Sequence, residues 1–371
     1  MTTGLPFPTI VFMYLGRFGA LGRFTYELAA AANDPRHANA RFLISANNEN
    51  ASDLVAQVAN VRTLATFDRA TPAALTLGYL RSRRQLAAIL EDVQPAAVVN
   101  LMPHVWSPLL SRTVKAKGCR FVPVIHDAVP HPGDPTARLT RWLLRDVRRA
   151  HRIVTLSRSV AQSLAEQGYA DTRKIVPLFH PDLNFNNSIE SRRLRPGEPL
   201  RLLFFGRIMA YKGLDLLTQA VVTARMRGSP ISLGVYGSGT ITPETRGLLD
   251  QLGAEVENRW IADNEINSIF SRFDAVVCSH TEASQSGVAA TAFGHALPVI
   301  AFPTGGIAEQ VIEGQTGVLA ETQDAGALAE AIARLASTPH LYDNISRNLA
   351  ATAAQRSMAR FLDRLSHAAL S

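Results

Sequence analysis

The segment Leu200–Ala220, LRLLFFGRIMAYKGLDLLTQA, decides how the rest of the chain is read. Leu202-Leu203-Phe204-Phe205 is a short apolar run of the kind that builds a strand buried on both faces. Gly206 ends the run, and after Gly213 apolar residues return at Leu214, Leu217 and Ala220, a helical spacing. The loop between strand and helix carries two cations, Arg207 and Lys212. A loop over the carboxyl end of a parallel strand, leading into a helix N-terminus, is a ready site for phosphate. Gly206 and Gly213 let the backbone approach a ligand closely, and the two side chains add full positive charge. On spacing alone an ordinary strand–loop–helix with solvated basic residues is the competing reading.

The chain has 371 residues, enough for two domains with separate cores. Hydrophobic residues make up 47% and charged residues 19%, the balance of a globular protein rather than a disordered one. No apolar run approaches the roughly 20 residues of a membrane helix, and Pro8–Leu15 reads as a first strand, not a signal peptide. Cys119 and Cys278 each adjoin a buried strand and read as free thiols in a reducing cytoplasm. No cluster of Cys and His has zinc-like spacing, so no structural metal is expected. The net charge of +7 is unevenly shared: up to Phe185, 22 Lys and Arg face 13 Asp and Glu, while the remainder is slightly acidic. The basic half calls for an anionic partner, whether a membrane surface, a lipid phosphate or nucleic acid.

Apolar strands alternate with helical patterns throughout, which argues for parallel sheets covered on both faces. In the first half the strand candidates are Thr9–Leu15, Arg41–Ser45, Ala96–Asn100, Arg120–Ile125 and Arg152–Leu156, with helices such as Leu21–Ala32 and Leu80–Leu90 between them. Asn184–Glu198 is polar and lacks an apolar period, a linker. A second alternating set runs from Leu200 to Leu319. The expected division is residues 1–185, residues 186–352, and a final amphipathic helix within residues 353–371. Two doubly wound units would place a cleft between the carboxyl ends of their sheets.

Four further stretches stand out. Gly16-Arg17-Phe18-Gly19-Ala20-Leu21-Gly22 comes directly after the first strand, but G-x-x-G-x-x-G is not the dinucleotide fingerprint. It suits a loop that lets phosphate approach the backbone, with Arg17 and Arg23 nearby. Ile125-His126-Asp127 ends a strand, so His126 is presented at the carboxyl edge, unless it is a structural histidine bonding local backbone. In Cys278–Gln310, CSHTEASQSGVAATAFGHALPVIAFPTGGIAEQ, Glu282 precedes a short helix Gly287–Gly294, and the amides of Ser286, Gly287 and Val288 would face an anion. Arg138, Arg141, Arg145, Arg148 and Arg152 fall along one expected helical face, with Leu139, Trp142, Leu143 and Val147 on another. That face is either simply solvated or drawn to anionic lipid.

F-x-G-R followed by K-G resembles the donor-diphosphate loop of retaining GT-B glycosyltransferases of family 4, and the likeness spreads from there. The resemblance implies that Arg207 and Lys212 neutralise the nucleotide diphosphate beside Gly206. H-D followed by P-H-P-G is similar to the family loop whose His lies beside the transferred sugar, which carries that role to His126 and, less directly, Asp127. The glycine loop with Gly16, Arg17 and Gly19 matches the family's acceptor side. Tyr236-Gly237-Ser238-Gly239 resembles the turn near the donor, and Arg259-Trp260-Ile261 the segment whose backbone reads the base. Gly305-Gly306 with Glu309 resembles the GGxxE turn, a structural feature. Family members carry a Glu contacting the donor sugar, matched by Glu282, and a second Glu eight residues on that holds the ribose. Here Ala290 stands at that position and Thr291 opposite it when Gly294–Pro298 is aligned; E-A-S-Q-S-G-V instead resembles a subgroup with an EATQSG-like loop.

The expected fold is therefore α/β, GT-B, with two Rossmann-like doubly wound domains. The expected activity is retaining hexosyl transfer, without a metal, from a nucleotide diphosphate sugar to a hydroxyl of a glycan or lipid-linked acceptor. The setting would be polysaccharide or glycoconjugate assembly, in the cytoplasm or peripherally on the inner membrane face, with no nucleic acid involved. A nucleotide-sugar epimerase or hydrolase, or a non-catalytic nucleotide-sugar-binding protein, are the alternatives.

Overall fold

A computed structural model describes residues 8–17, 19–129, 139–184, 189–195 and 197–371. They divide into two compact units, one of the residues up to Phe179 with Met358–Ser371, the other of His180–Ser357. Each unit is built on an all-parallel sheet. In the first, β1 (Ile10–Tyr14), β2 (Ala40–Ser45), β3 (Val61–Leu64), β4 (Ala97–Asn100), β5 (Arg120–Ile125), β6 (Ile153–Thr155) and β7 (Ile175–Pro177) lie in the order β3-β2-β1-β4-β5-β6-β7. In the second, β8 (Leu200–Phe205), β9 (Ile231–Gly237), β10 (Glu255–Asn258), β11 (Ala275–Cys278), β12 (Val299–Ala301) and β13 (Gly317–Leu319) lie in the order β10-β9-β8-β11-β12-β13. The chain winds outward from β1 and from β8, then crosses back to β4 and to β11. Each sheet therefore has a switch point, between β1 and β4 and between β8 and β11, where ligands bind in such folds.

Central strands are apolar because helices cover both faces. Every residue of β1 is buried, and β8 buries Leu200, Leu202, Leu203 and Phe204. β3 and β7 fall outside the strands expected from the sequence. Both are edge strands, with burial on few positions, and β7 ends in Pro177, so neither shows an apolar run.

The chain passes from the first unit to the second at His180 and returns at Met358. The chain is built into the second unit before the polar stretch begins, because Leu183 N donates to Ala290 O at 3.2 Å and Arg356 Nε donates to Asp182 Oδ2 at 2.9 Å. The same ion pair holds Arg356 there, so the return to the first unit comes at Met358. The helix Met358–Leu370 packs on the helix Ala20–Ala31, with Phe361 edge-on to Phe24 at 5.5 Å.

The arginine-rich segment also differs. A short α-helix, Thr140–Leu143, passes into a 3₁₀ helix, Leu144–Arg149, and Arg152 lies beyond both; Arg138 is outside the described residues. Three residues per turn set Arg145 and Arg148 in line, and Arg141, Arg145 and Arg148 are exposed. The tighter turn buries Leu144 and Val147, and with them Asp146, which is fully shielded from solvent. Burial pushes its carboxyl up to about 7, against the opposing pull of nearby backbone amides, Arg149 and Asn100.

An aspartate titrates near 3.9 when unfolded, so the native state holds the extra proton between about 4 and 7 and loses stability as pH rises through that window. Asp146→Asn cannot ionise. Its melting temperature relative to wild type should rise between pH 5 and pH 8; a constant difference across that range would contradict the assignment.

Candidate functional site

In the second unit the loops after the neighbouring strands β8 and β11 are strapped together. Gly213 caps the helix Leu214–Met226 in the left-handed region, φ 65° and ψ 38°, and a Cβ on it would fall 2.1 Å from Ser279 O. Only glycine meets both demands. Thr281 N donates to Tyr211 O (2.8 Å), Ser279 Oγ donates to Lys212 O (2.9 Å), and Lys212 Nζ lies 2.9 Å from His280 Nε2. At the other end of the β8 loop, the Gly206 Cα faces Val288: a Cβ there would lie 3.6 Å from Val288 Cγ2. Arg207 is exposed and makes no hydrogen bond or ion pair among the described residues. Glu282 is exposed in the loop after β11.

The helix Gly287–Gly294 begins as expected, with Ser286 as N-cap accepting from Ala289 N through Oγ (3.1 Å). Its three leading amides are not equally open. Ser286 N donates to Gln310 Oε1 (2.7 Å) while Gln310 Nε2 donates back to Ser286 O (3.1 Å), so that amide is taken. The amides of Gly287 and Val288 find no acceptor among the described residues and remain for an anion. Thr291 is buried and its Oγ1 donates to Gly287 O at 2.9 Å, within its own helix.

Gly237 and Gly239 do local work. A Cβ on Gly237 would fall 1.8 Å from Gly206 O, and one on Gly239 2.0 Å from Ile208 O. Both admit the neighbouring β8 loop, which Gly206 N→Tyr236 O (2.9 Å) and Ile208 N→Ser238 O (2.8 Å) zip against β9. Ile261 is buried, and its segment is braced by Arg259, which donates to Glu265 Oε2 (2.7 Å) and Glu257 Oε2 (2.8 Å). Trp260 beside it is 58% exposed.

The first unit collects the remaining residues. Gly19, φ 103°, caps the helix Ala20–Ala31, but its amide donates to Glu49 Oε1 (3.0 Å), so a carboxylate already occupies it. Asn48 Nδ2 holds Gly16 O (3.1 Å), and Arg17 Nη1 donates to Asp68 O. Arg23 pairs with Glu27 at 2.8 Å. His126 is buried with Nε2 2.8 Å from Leu101 O, just past the neighbouring strand β4, a backbone bond of the kind a structural histidine makes, and burial depresses its pKa. The neutral ring donates through Nε2, which leaves Nδ1 as an acceptor. Asp127 is exposed, and the P-H-P-G stretch lies outside the described residues.

Two residues of the second site were not singled out from the sequence. His280 stands two residues before Glu282, where an imidazole directly after a strand was a visible signal. Gln310 adjoins the GGxxE turn, and nothing in its spacing points back to Ser286. Cys119 and Cys278 are free and buried, and no group of three or more His, Cys, Asp or Glu among the described residues could hold a metal ion.

Residues 21–178 match the model of Glycosyltransferase Family 4, and residues 199–338 that of Glycosyl transferases group 1. The D-inositol 3-phosphate glycosyltransferase of Corynebacterium urealyticum is 29% identical over 192 residues, 46% of this chain and 45% of the relative. The glycogen synthase of Mycobacterium tuberculosis is 28% identical over 245 residues, 59% of this chain and 55% of that enzyme. The chain thus spans about half the length of the curated relatives it matches. Anabaena Alr3699/HepE, solved in complex with UDP, shares the fold with a TM-score of 0.72 and 16% identity, over 97% of this chain and 98% of that one. With both sheets parallel and doubly wound and the two family models matching one half each, the chain belongs to the GT-B glycosyltransferases of family 4, group 1.

Proposed function

We propose that this glycosyltransferase moves a hexose from a nucleotide diphosphate sugar to a hydroxyl of a glycan or lipid-linked acceptor, with retention at the anomeric carbon and without a metal. The observation that carries the reading is the second unit's switch point. There an uncommitted Arg207, Lys212 and the open Gly287 and Val288 amides lie on loops tied to one another. Such a set suits a diphosphate, and the complex of Alr3699/HepE with UDP supports a nucleotide donor.

In group transfer from a diphosphate, negative charge grows on the leaving oxygens. Preorganised cations and amides that meet it there supply the stabilisation. Arg207 and Lys212 take that part here. Glu282 accepts hydroxyls of the donor sugar, and His126 contributes an acceptor Nδ1 rather than an acid, because its Nε2 proton is committed to Leu101. The leaving phosphate takes the acceptor's proton. Thr291 Oγ1 donates within its own helix, so toward a ribose hydroxyl it offers an acceptor oxygen without the full charge of a carboxylate. Ile261 lies in the segment that reads the base, and the glycine loop with Gly16, Arg17 and Gly19 faces the acceptor. The setting is polysaccharide or glycoconjugate assembly in the cytoplasm.

No helix among the described residues is long and apolar enough to cross a membrane. Exposed Arg141, Arg145 and Arg148 instead attract an anionic bilayer, each worth about 1 kcal/mol near the surface.

Titration calorimetry with UDP, GDP and ADP tests the donor site. One of the three should bind wild type, and Arg207→Ala/Lys212→Ala should weaken it by roughly two orders of magnitude. No binding by wild type would overturn the reading, and binding without turnover on any acceptor would favour a non-catalytic carrier. In vesicle sedimentation, wild type should bind anionic but not zwitterionic lipid, and Arg141→Ser/Arg145→Ser/Arg148→Ser should lose most of that binding; equal sedimentation of the two proteins would exclude the membrane role.

A further inference from the structure

The lysine of the β8 loop is held by a partner that the family motif does not include. Lys212 Nζ lies 2.9 Å from His280 Nε2. An ammonium only donates, so the imidazole accepts through Nε2 and keeps its proton on Nδ1. His280 is 4% exposed and is itself anchored: Thr304 Oγ1 donates to His280 O at 2.9 Å, and Gln323 Nε2 donates to Thr304 Oγ1 at 2.7 Å. The Tyr211 ring stands edge-on to the imidazole at 6.3 Å, and the Lys212 ammonium lies 5.7 Å from that same ring. On the backbone side, Lys212 O accepts from Ser279 Oγ, so both ends of the lysine are tied to the segment that carries His280.

The chemistry of this arrangement is specific. A lysine side chain is a flexible stem with a compact charge and samples many rotamers when unrestrained. A neutral imidazole accepts from the ammonium and restrains the stem, and it brings no negative charge of its own to the place where an anion must bind. We propose that His280 is a positioning residue for the donor diphosphate. Its Nε2 holds the Lys212 ammonium in place before the donor arrives. The inference rests on the donor-site reading under Proposed function, and it assigns His280 no contact with the sugar or the base.

The test measures the affinity of UDP, GDP and ADP for wild type, His280→Leu, His280→Asn and His280→Gln, with thermal unfolding to confirm folding. Leucine offers no acceptor, and asparagine is too short to place one at the Nε2 position. Glutamine reaches it. For the nucleotide that wild type binds, His280→Leu and His280→Asn should each lose about tenfold, the scale of one charge-assisted hydrogen bond, while His280→Gln stays within about twofold. If His280→Leu does not fold, His280→Asn against His280→Gln reads the same comparison. Wild-type affinity in His280→Asn, or a loss in His280→Gln as large as in His280→Asn, overturns the inference and leaves the donor site standing. Failure of wild type to bind any of the three nucleotides overturns both.

Discussion

The second unit depends on one close approach, that of Gly213 to the carbonyl of Ser279. Two parallel strands side by side, β8 and β11, send their chains out from the same sheet edge, and the two emerging loops must share that space. A left-handed glycine starts one helix while leaving room for the neighbouring chain. Once that contact is made, the Tyr211–Thr281 and Lys212–Ser279 bonds close, and the ammonium of Lys212 meets His280. The site is thus a by-product of how two adjacent crossovers avoid one another, with charge added where the backbone is already fixed.

Much of this was legible because the signals are local. The apolar run before Gly206, the helical return after Gly213 and the Ser286 cap each depend on neighbours in sequence, and the strand and helix are where those neighbours place them. The long-range contacts were not legible. The amide of Ser286 looks open in the sequence and is closed by Gln310 from beyond the next strand. Gly237 looks like a ligand turn, whereas its missing Cβ makes way for Gly206 of the adjacent strand. Thr291 looks like a hydroxyl for a ribose and spends its proton on its own helix.

The first unit shows the same limit from the side of burial. The arginine spacing read as one amphipathic helix, yet the turn tightens after Leu143 because Leu144, Asp146 and Val147 all go inside. Edge strands such as β3 carry too little burial to stand out from loops. The glycine loop after β1 reads as one that lets phosphate approach the backbone, but Glu49 places a carboxylate on the Gly19 amide. An anion approaching that amide must displace Glu49, whereas the Gly287 and Val288 amides of the second unit need no such exchange. This contrast is the physical reason for placing the diphosphate in the second unit.

Hydrogen exchange followed by mass spectrometry, with and without a saturating nucleoside diphosphate that the protein binds, tests that placement most directly. Exchange should slow in the peptides spanning Gly206–Gly213 and Ser286–Val288 and change little around Gly16–Gly19. Protection at Gly16–Gly19 with none in the two segments of the second unit would contradict the placement.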